Sequence, residues 1–209
     1  MNFIKYIAKQ FGNPAGFGGK MATFVMNCIN RKQYKATINC LSVCENDVIL
    51  DIGFGNGFFI KQLLKEKPMK IIGIEISEDM ILSATKLNQN AVNKGIVELL
   101  QADIQKLPFA DNFFDKIYTI NTVYFWQDIH IAFAEIKRVL KPDGLFINTV
   151  YTKNHLEKLI ITKYNFSKYD VNELERLTVE SGFKLVETVE IEKNKSYSIC
   201  VKSLKNNQI

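Results

Sequence analysis

A short apolar run that leads directly into a glycine-rich loop constrains the fold more than any other feature. The run covers residues 48–50, and the loop that follows it reads Asp51-Ile52-Gly53-Phe54-Gly55-Asn56-Gly57. A continuous apolar stretch of this length is typical of a strand that is covered on both faces, as in a parallel sheet. Glycine accepts the dihedral angles of a sharp turn and lets backbone amides approach a ligand. The sequence therefore predicts a buried strand, a turn that can bind a ligand, and a helix.

From residue 47 onward, strand patterns and helix patterns alternate. We predict strands over residues 48–50, 70–75, 97–102, 114–120, 145–151, 183–191 and 197–203. Helices are predicted over residues 56–65, 78–93, 128–140 and 172–181, with Ser77 as the N-cap of the second. This alternation predicts an α/β fold with a doubly wound, mostly parallel seven-stranded sheet. In such sheets, ligands bind beyond the carboxyl ends of the strands.

The first 46 residues follow a different pattern. We treat residues 1–46 as an N-terminal helical cap on the α/β unit of residues 47–209, within a single domain overall. Helical spacing predicts a short helix over residues 1–11 and one or two helices over residues 20–41. Turn and flexibility signals in residues 12–19 are expected to interrupt the helices. The glycines and aromatic residues of the 11–21 stretch would suit a mobile lid over the ligand site.

Charge and cysteine content bound the possible partners and the compartment. The net charge of +5 comes from the N-terminal part, where six basic residues stand against Glu45 alone before residue 47. Such a segment could attract an acidic substrate, anionic lipid or RNA, although an ordinary solvated face is the simpler interpretation. The 4 cysteines complete no zinc-binding pattern, so we expect no metal and predict reduced, buried thiols in a cytoplasmic protein. No run of residues resembles a signal peptide or approaches membrane-spanning length.

The spacing of the loop discriminates between cofactors. A dinucleotide fingerprint would place glycine at position 58, and this chain has Phe58. A dinucleotide also brings a pyrophosphate, which favours a positive helix end. S-adenosylmethionine (SAM) instead brings an ammonium, a carboxylate and a sulfonium. An acidic side chain such as Asp51 suits the ammonium, and loop amides suit the carboxylate. A plain structural turn is the alternative for the loop alone.

Two more carboxylates follow the next two predicted strands. Glu75 ends the second strand, where a carboxylate can accept hydrogen bonds from both ribose hydroxyls. Asp103 ends the third, where it can accept from an adenine amine while Ile104 offers its backbone amide to the ring. Like charges at one crevice should repel each other unless donors or a cationic ligand compensate them. The set as a whole therefore indicates an adenosine-containing ligand.

Five segments carry a further signal: residues 48–57, Glu75, residues 102–104, residues 107–109 with 113–115, and residues 138–144. Together they resemble the class I methyltransferases, and most of all the branch related to the ubiquinone/menaquinone-biosynthesis methyltransferases (type 11). The resemblance covers residues 47–151 well and the 173–183 segment more loosely. It implies a Rossmann-like methyltransferase fold with an N-terminal helical lid. It also implies SAM as the cofactor and S-adenosylhomocysteine (SAH) as the product.

The resemblance also assigns roles to individual positions. It implies that residues 51–57 hold the methionine part of SAM and that Glu75, followed by Ile76, holds the ribose. Asp103 and Ile104 would hold the adenine, and Met80 would pack on the adenine face. The family often has Cys or Ser where this chain has Phe54, and Gly or Thr where it has Asn56. Phe54 is bulkier than the usual residue, so the sequence does not predict the direction of its side chain. The expected role of the loop backbone is unaffected.

The residues after the fourth strand, 121–126, face the reacting end in this fold. Enzymes that methylate the amines of DNA bases carry an N/D-P-P-Y/W tetrad there, and this chain lacks both prolines. We therefore expect no DNA substrate and assign Asn121 to cofactor contact. Tyr124, Phe125 and Trp126 could line an acceptor pocket or pack in the core, and for Phe125 the core is favoured.

No dedicated catalytic base is evident, and methyl transfer needs one only if the acceptor must lose a proton. Tyr6 and Tyr124 are candidates for acting near the acceptor, whereas His130 and His155 are predicted to be surface residues. The sequence thus predicts methyl transfer from SAM to a small-molecule acceptor. Alternatives are an RNA or protein methyltransferase that uses the basic N-terminus, a protein that binds SAM without catalysis, and an NAD-linked oxidoreductase.

Overall fold

A computed structural model describes residues 16–164, 166–192 and 198–205. Two helices come first, α1 (Gly16–Ile29) and α2 (Arg31–Leu41). The helix predicted for residues 1–11 and the candidate residue Tyr6 lie outside the described residues. Within the described ranges, no helix combines the length and the apolar character needed to cross a bilayer.

The remainder of the chain forms an α/β unit around one sheet. The strands are β1 (Val48–Ile52), β2 (Lys70–Glu75), β3 (Val97–Gln101), β4 (Phe114–Ile120), β5 (Leu140–Tyr151), β6 (Phe183–Glu190) and β7 (Ser198–Lys205). The helices are α3 (Phe58–Leu63), α4 (Glu78–Leu87), α5 (Gln89–Asn93), α6 (Ile129–Val139), α7 (Lys153–Leu156) and α8 (Val171–Glu180). Short 3-10 turns occupy Leu64–Glu66, Val123–Phe125 and Ile160–Lys163.

The strands form a seven-stranded sheet in the order β3-β2-β1-β4-β5-β7-β6. The first five strands in this order are parallel, and β7 joins β5 and β6 antiparallel. The predicted α/β class and mostly parallel seven-stranded sheet are confirmed. The chain order reverses between β1 and β4, so the carboxyl ends of these two strands flank the crevice where ligands bind in such sheets.

Apolar residues cover both faces of the sheet. On one face, Phe133 and Ile136 of α6 and Leu174 of α8 pack in a cluster with Leu50 of β1. On the other face, a second cluster contains Leu41 of α2 and Ile60 of α3 with Ile49 of β1. All five residues of β1 are buried, which confirms that its continuous apolar run belongs to a strand covered from both sides.

Three differences from the predicted helices and strands are larger than a shift of two residues at one end. Residues 16–19 form the first turn of α1 rather than a break, because glycine costs a helix only about 1 kcal/mol per residue and the following residues are helical. The predicted helix 78–93 is divided at Asn88, whose side-chain amide donates to the Gly57 and Ala84 carbonyls at 3.0 Å. Residues 141–144, which lie between the predicted helix 128–140 and the predicted strand 145–151, are part of β5 as a bulge, with Asp143 at φ 57°.

The prediction of buried thiols is correct for two cysteines and wrong for two. Cys40 and Cys200 are buried on the same face of the sheet, whereas Cys28 and Cys44 are exposed. Cys28 lies on the outer side of α1, and Cys44 follows the end of α2. Residue type alone therefore did not predict which of the cysteines are buried.

Candidate functional site

The loop after β1 is held tightly against α4. Gly57 has φ +74°, a conformation that favours glycine, and a Cβ added there would come within 2.7 Å of the Ala84 Cβ. Ser77 begins α4 as its N-cap, as predicted, because its side chain accepts from the Met80 amide. Because the loop packs closely against α4, the helix holds in place the loop backbone that we predicted to bind the ligand.

Phe54 turns its ring toward the sheet. A Cβ added at Gly73 of β2 would lie 2.5 Å from the Phe54 Cδ1 and 3.0 Å from the Leu99 Cδ2. The Phe54 side chain is buried in the apolar cluster of that face. Glycine at position 73 thus makes room for a bulky residue at position 54, which answers the question that the sequence left open about its direction.

Asp51 carries a buried carboxyl group near the carboxyl end of β1. Its Oδ2 accepts a hydrogen bond from the Tyr118 hydroxyl of β4 at 2.6 Å. The pKa of Asp51 is raised to about 8, mainly by burial; the Tyr118 hydrogen bond lowers it and the nearby Glu75 raises it. A cation placed beside Asp51 would favour its charged form.

Glu75 is engaged by three backbone amides. Its Oε2 accepts from Gly55 at 3.1 Å, and its Oε1 accepts from Ile76 at 2.8 Å and from Ser77 at 3.1 Å. Burial raises the pKa of Glu75, and these donors act in the opposite direction. Because a carboxylate has about four acceptor positions, Oε2 still has capacity for a ligand hydroxyl. The carboxylate also links the β1 loop to the end of β2.

The third acidic residue, Asp103, differs from the first two because it is exposed. Its Oδ1 accepts from the Gln105 amide at 2.9 Å, which shapes the turn after β3. Ile104 beside it is buried, whereas Ile76 after β2 is 49% exposed. Both isoleucines line the cavity described next and offer apolar surface to a ligand.

These side chains meet at one cavity of about 230 Å³ at the carboxyl ends of the strands. The structure brings together ten of the predicted cofactor residues in its lining: Asp51, Gly53, Phe54, Gly55, Asn56, Glu75, Ile76, Asp103, Ile104 and Asn121. Two others, Gly57 and Met80, lie outside the lining, and Met80 is fully buried. Among the described lining residues none is Lys, Arg or His, so the acidic side chains find no cationic side chain within the cavity wall.

Asn121 has a left-handed backbone conformation, and both polar atoms of its side chain form hydrogen bonds. Its φ is 60°, in the left-handed region. Its amide pairs with that of Gln33 on α2, with Asn121 Nδ2 donating to Gln33 Oε1 at 2.7 Å and Gln33 Nε2 donating back at 3.3 Å. The Tyr124 hydroxyl donates to Asn121 Oδ1 at 3.1 Å and accepts from the Tyr151 amide. Asn121 is thus held by α2 and by the end of β5.

Polar residues of α1, of α2 and of the junction between them, which the sequence did not single out, also reach the cavity. Asn27 donates to Asn56 Oδ1 of the loop at 3.1 Å and accepts from the Tyr34 hydroxyl at 2.8 Å. Asn30 accepts from the Tyr151 hydroxyl at 2.8 Å. In the sequence, these residues are marked by nothing more than a spacing of three to four positions. Polar residues on a solvent-exposed helix face have the same spacing, so it did not identify them as cavity residues.

A second cavity of about 290 Å³ adjoins the first. Tyr124 lines it. Phe125 is half-buried, lines both cavities and also packs against the apolar core cluster, so it combines the two roles that the sequence left open. His155, predicted at the surface, is half-buried in its wall with its ring stacked on Tyr151 at 4.9 Å. His130 is exposed at the start of α6, as predicted.

Residues 50–148 match the family model described as "Methyltransferase domain". The chain is 35% identical over 125 residues to the uncharacterized methyltransferase YdaC of Bacillus subtilis, an alignment that covers 59% of this chain and 67% of YdaC. It is 32% identical over 129 residues to YrhH of the same bacterium, also described as a methyltransferase, covering 58% of this chain and 71% of YrhH.

Solved structures agree on the fold. A chain described as a methyltransferase, in complex with the Haloferax volcanii Trm112 methyltransferase activator, superposes with a TM-score of 0.81 at 17% identity, covering 99% of both chains. The predicted class and family are confirmed: the chain belongs to the type 11 family of class I SAM-dependent methyltransferases.

Proposed function

We propose that the first cavity binds SAM and that the protein transfers its methyl group to a small-molecule acceptor through an oxygen, nitrogen or carbon nucleophile. The observation that carries the proposal is the convergence of Asp51, Glu75 and Asp103 on one cavity without a cationic side chain in its described wall. The ammonium and sulfonium of SAM supply the missing positive charge. SAM also supplies a methyl carbon that is already activated, so positioning and water exclusion can provide most of the acceleration.

The chain's own residues then have separable roles. Asp51 faces the ammonium, and the amides of the β1 loop from Gly53 to Gly57 face the carboxylate of the methionine part. Glu75 accepts from the ribose through Oε2, which keeps acceptor capacity beside the Gly55 amide. The remaining assignments rest on the family resemblance: Ile76, Asp103 and Ile104 around the adenosine, Met80 behind the adenine, and Asn121 near the methyl group.

We also propose that residues 1–46 act as a lid. Asn27 of α1 bonds to Asn56 of the cofactor loop, and Met26, Asn30 and Tyr34 line the same cavity. α1 reaches the loop through the Asn27 side chain, whereas α2 packs on the sheet through Leu41, so we expect α1 to move and α2 to stay on the sheet. The cytoplasmic location expected from the cysteine pattern also stays a prediction.

Isothermal titration calorimetry with SAH and with NAD tests the cofactor assignment. We expect SAH to bind and NAD to give no detectable heat. Glu75→Gln should weaken SAH binding about tenfold or more, because the side chain loses its charge and presents a donor to backbone amides that also donate.

Glu98→Gln is the matched control. Glu98 lies on the neighbouring strand, opposite Ile72, and outside the cavity lining. It should bind SAH as the unmodified protein does. Binding of NAD without SAH would refute the proposal, and equal SAH affinity in Glu75→Gln would remove Glu75 from the site.

A further inference from the structure

The second cavity has a wall of different chemistry from the first. Its lining includes the aromatic rings of Phe125 and Phe166 and the aliphatic side chains of Ile29, Leu156 and Ile161. In the described part of the chain, no Asp, Glu, Lys or Arg lines this cavity. Burial lowers the pKa of His155, and Lys158 lowers it further while Glu192 opposes them, so this side chain favours its neutral form. The wall therefore offers apolar contact without a fixed charge.

The polar groups of this wall are already engaged with protein. The Tyr124 hydroxyl bonds to Asn121 and to the Tyr151 backbone, and the Tyr151 hydroxyl donates to Asn30 at 2.8 Å. Placing a strongly polar or charged group in such surroundings is costly, because it would lose its water without gaining partners. An occupant must therefore be mostly apolar along this wall.

Asn30, Asn121, Met26 and Phe125 line both cavities. They mark the boundary where a molecule in the second cavity can meet a group held in the first. Polar side chains occur at this boundary, whereas the far wall is apolar. An occupant that places a polar nucleophile at the boundary and a hydrocarbon body behind it matches both environments.

An apolar route leads into the second cavity from the surface. Ile29 of α1 is 63% exposed and Leu159 is 39% exposed, and both line the cavity. The roof comes from residues after β5, where Phe166 packs edge-on against Phe125 with ring centroids 4.7 Å apart. A peptide or nucleic acid would bring polar backbone past these side chains, so a small molecule fits the route better.

We propose that the second cavity is the acceptor site and that it takes an uncharged, mostly aromatic or hydrocarbon small molecule whose single nucleophilic group lies beside Asn30 and Asn121. This inference rests on the proposed function, since it assumes that the methyl group is presented from the first cavity. It goes further by naming the class of acceptor and the residues that select it.

Equilibrium dialysis with 1-naphthol, without SAH and with saturating SAH, tests the site. A matched probe, 4-hydroxynaphthalene-1-sulfonate, has the same rings and a fixed charge. We expect 1-naphthol to bind at least tenfold more tightly than the sulfonate. Leu159→Trp and Ile161→Trp narrow the cavity and should each weaken 1-naphthol binding at least tenfold. Ile160→Trp is the control, because Ile160 is 61% exposed and lies outside the lining.

SAH affinity, measured separately by calorimetry, should stay within twofold in all three variants. Absence of 1-naphthol binding, equal binding of the sulfonate, displacement of 1-naphthol by SAH, or full binding in both narrowed variants would each overturn the acceptor site. Absence of SAH binding to the unmodified protein would instead contradict the proposed cofactor site, so the two failures are distinguishable.

Discussion

Asp51 is the residue whose protonation state is most closely coupled to ligand binding. Its carboxyl is buried, receives one hydrogen bond from Tyr118 and lies near the carboxylate of Glu75, and its pKa is raised to about 8. A pKa raised by burial means that folding favours the protonated form, so this group stabilises the fold at low pH and loses that contribution as the pH rises through about 8. A bound ammonium would reverse the preference.

We predict that SAH binding releases a proton from Asp51 at neutral pH. In the free protein Asp51 is mostly protonated below about pH 8, and the ligand ammonium favours the carboxylate, so the pKa falls on binding. Affinity should therefore rise with pH, by up to about tenfold per pH unit between the bound and free pKa values, and level off above the free value. Calorimetry in two buffers with different ionisation enthalpies measures the released proton.

Asp51→Asn provides the control, because asparagine keeps the size of the side chain and does not titrate. It should bind SAH at least about tenfold more weakly at pH 8 and show a smaller proton release, since Glu75 still titrates nearby. If Asp51→Asn keeps the full pH dependence, the proton comes from another group and the placement of the ammonium beside Asp51 is wrong.

Among the secondary-structure elements, those with a clear local sequence pattern were predicted well. The bounds 70–75 and 114–120 agree with β2 and β4 as observed. Both strands are mostly apolar and are separated from neighbouring helices by turn residues, so a local pattern was sufficient. The loop after β1 was also predicted from local spacing, because its glycines satisfy backbone requirements that few other residues meet.

Elements whose structure depends on distant contacts were predicted less well. Asn27 and Gln33 lie on helices, and Asn30 lies between the two helices. A local pattern assigns such polar residues to solvent, yet each is buried against a polar partner from the sheet side. The roof of the second cavity, including Leu156 and Phe166, carries no motif. Its role comes from packing against Tyr124 and Phe125, which are distant in sequence.

The contacts of α1 and α2 lead to a prediction for the lid. Bound SAH should restrain Asn56 and Asn121, and through them Asn27 and Gln33, because each pair shares a hydrogen bond. Limited trypsin digestion should therefore cleave at Arg31, Lys32 and Lys35 severalfold more slowly with saturating SAH. Cleavage at Lys184 in β6, remote from the cavity lining, should slow by a smaller factor than cleavage in α2. Unchanged cleavage in α2 would show that these helices are not coupled to the ligand.

On the scale of the whole molecule, the first cavity exists only when distant parts of the chain have assembled. Its lining includes residues from α1, from the β1 loop, from the ends of β2 and β3, and from the segment after β4. An unfolded chain offers no comparable set of partners. A ligand of this cavity must therefore stabilise the native state by mass action, in proportion to the logarithm of its concentration relative to Kd.

We predict that SAH at about 100 times its Kd raises the stability of the unmodified protein by about 2.7 kcal/mol. For a chain of this size that corresponds to a rise in Tm of roughly 5 to 11 °C in differential scanning calorimetry. Glu75→Gln, with about tenfold weaker binding, should keep about half of this stabilisation at the same SAH concentration. The Glu98→Gln control should keep all of it, and NAD at equal concentration should leave every Tm unchanged. Equal SAH-induced shifts in Glu75→Gln and the unmodified protein would place the stabilising ligand outside this cavity, because a ligand held by Glu75 cannot stabilise both proteins equally.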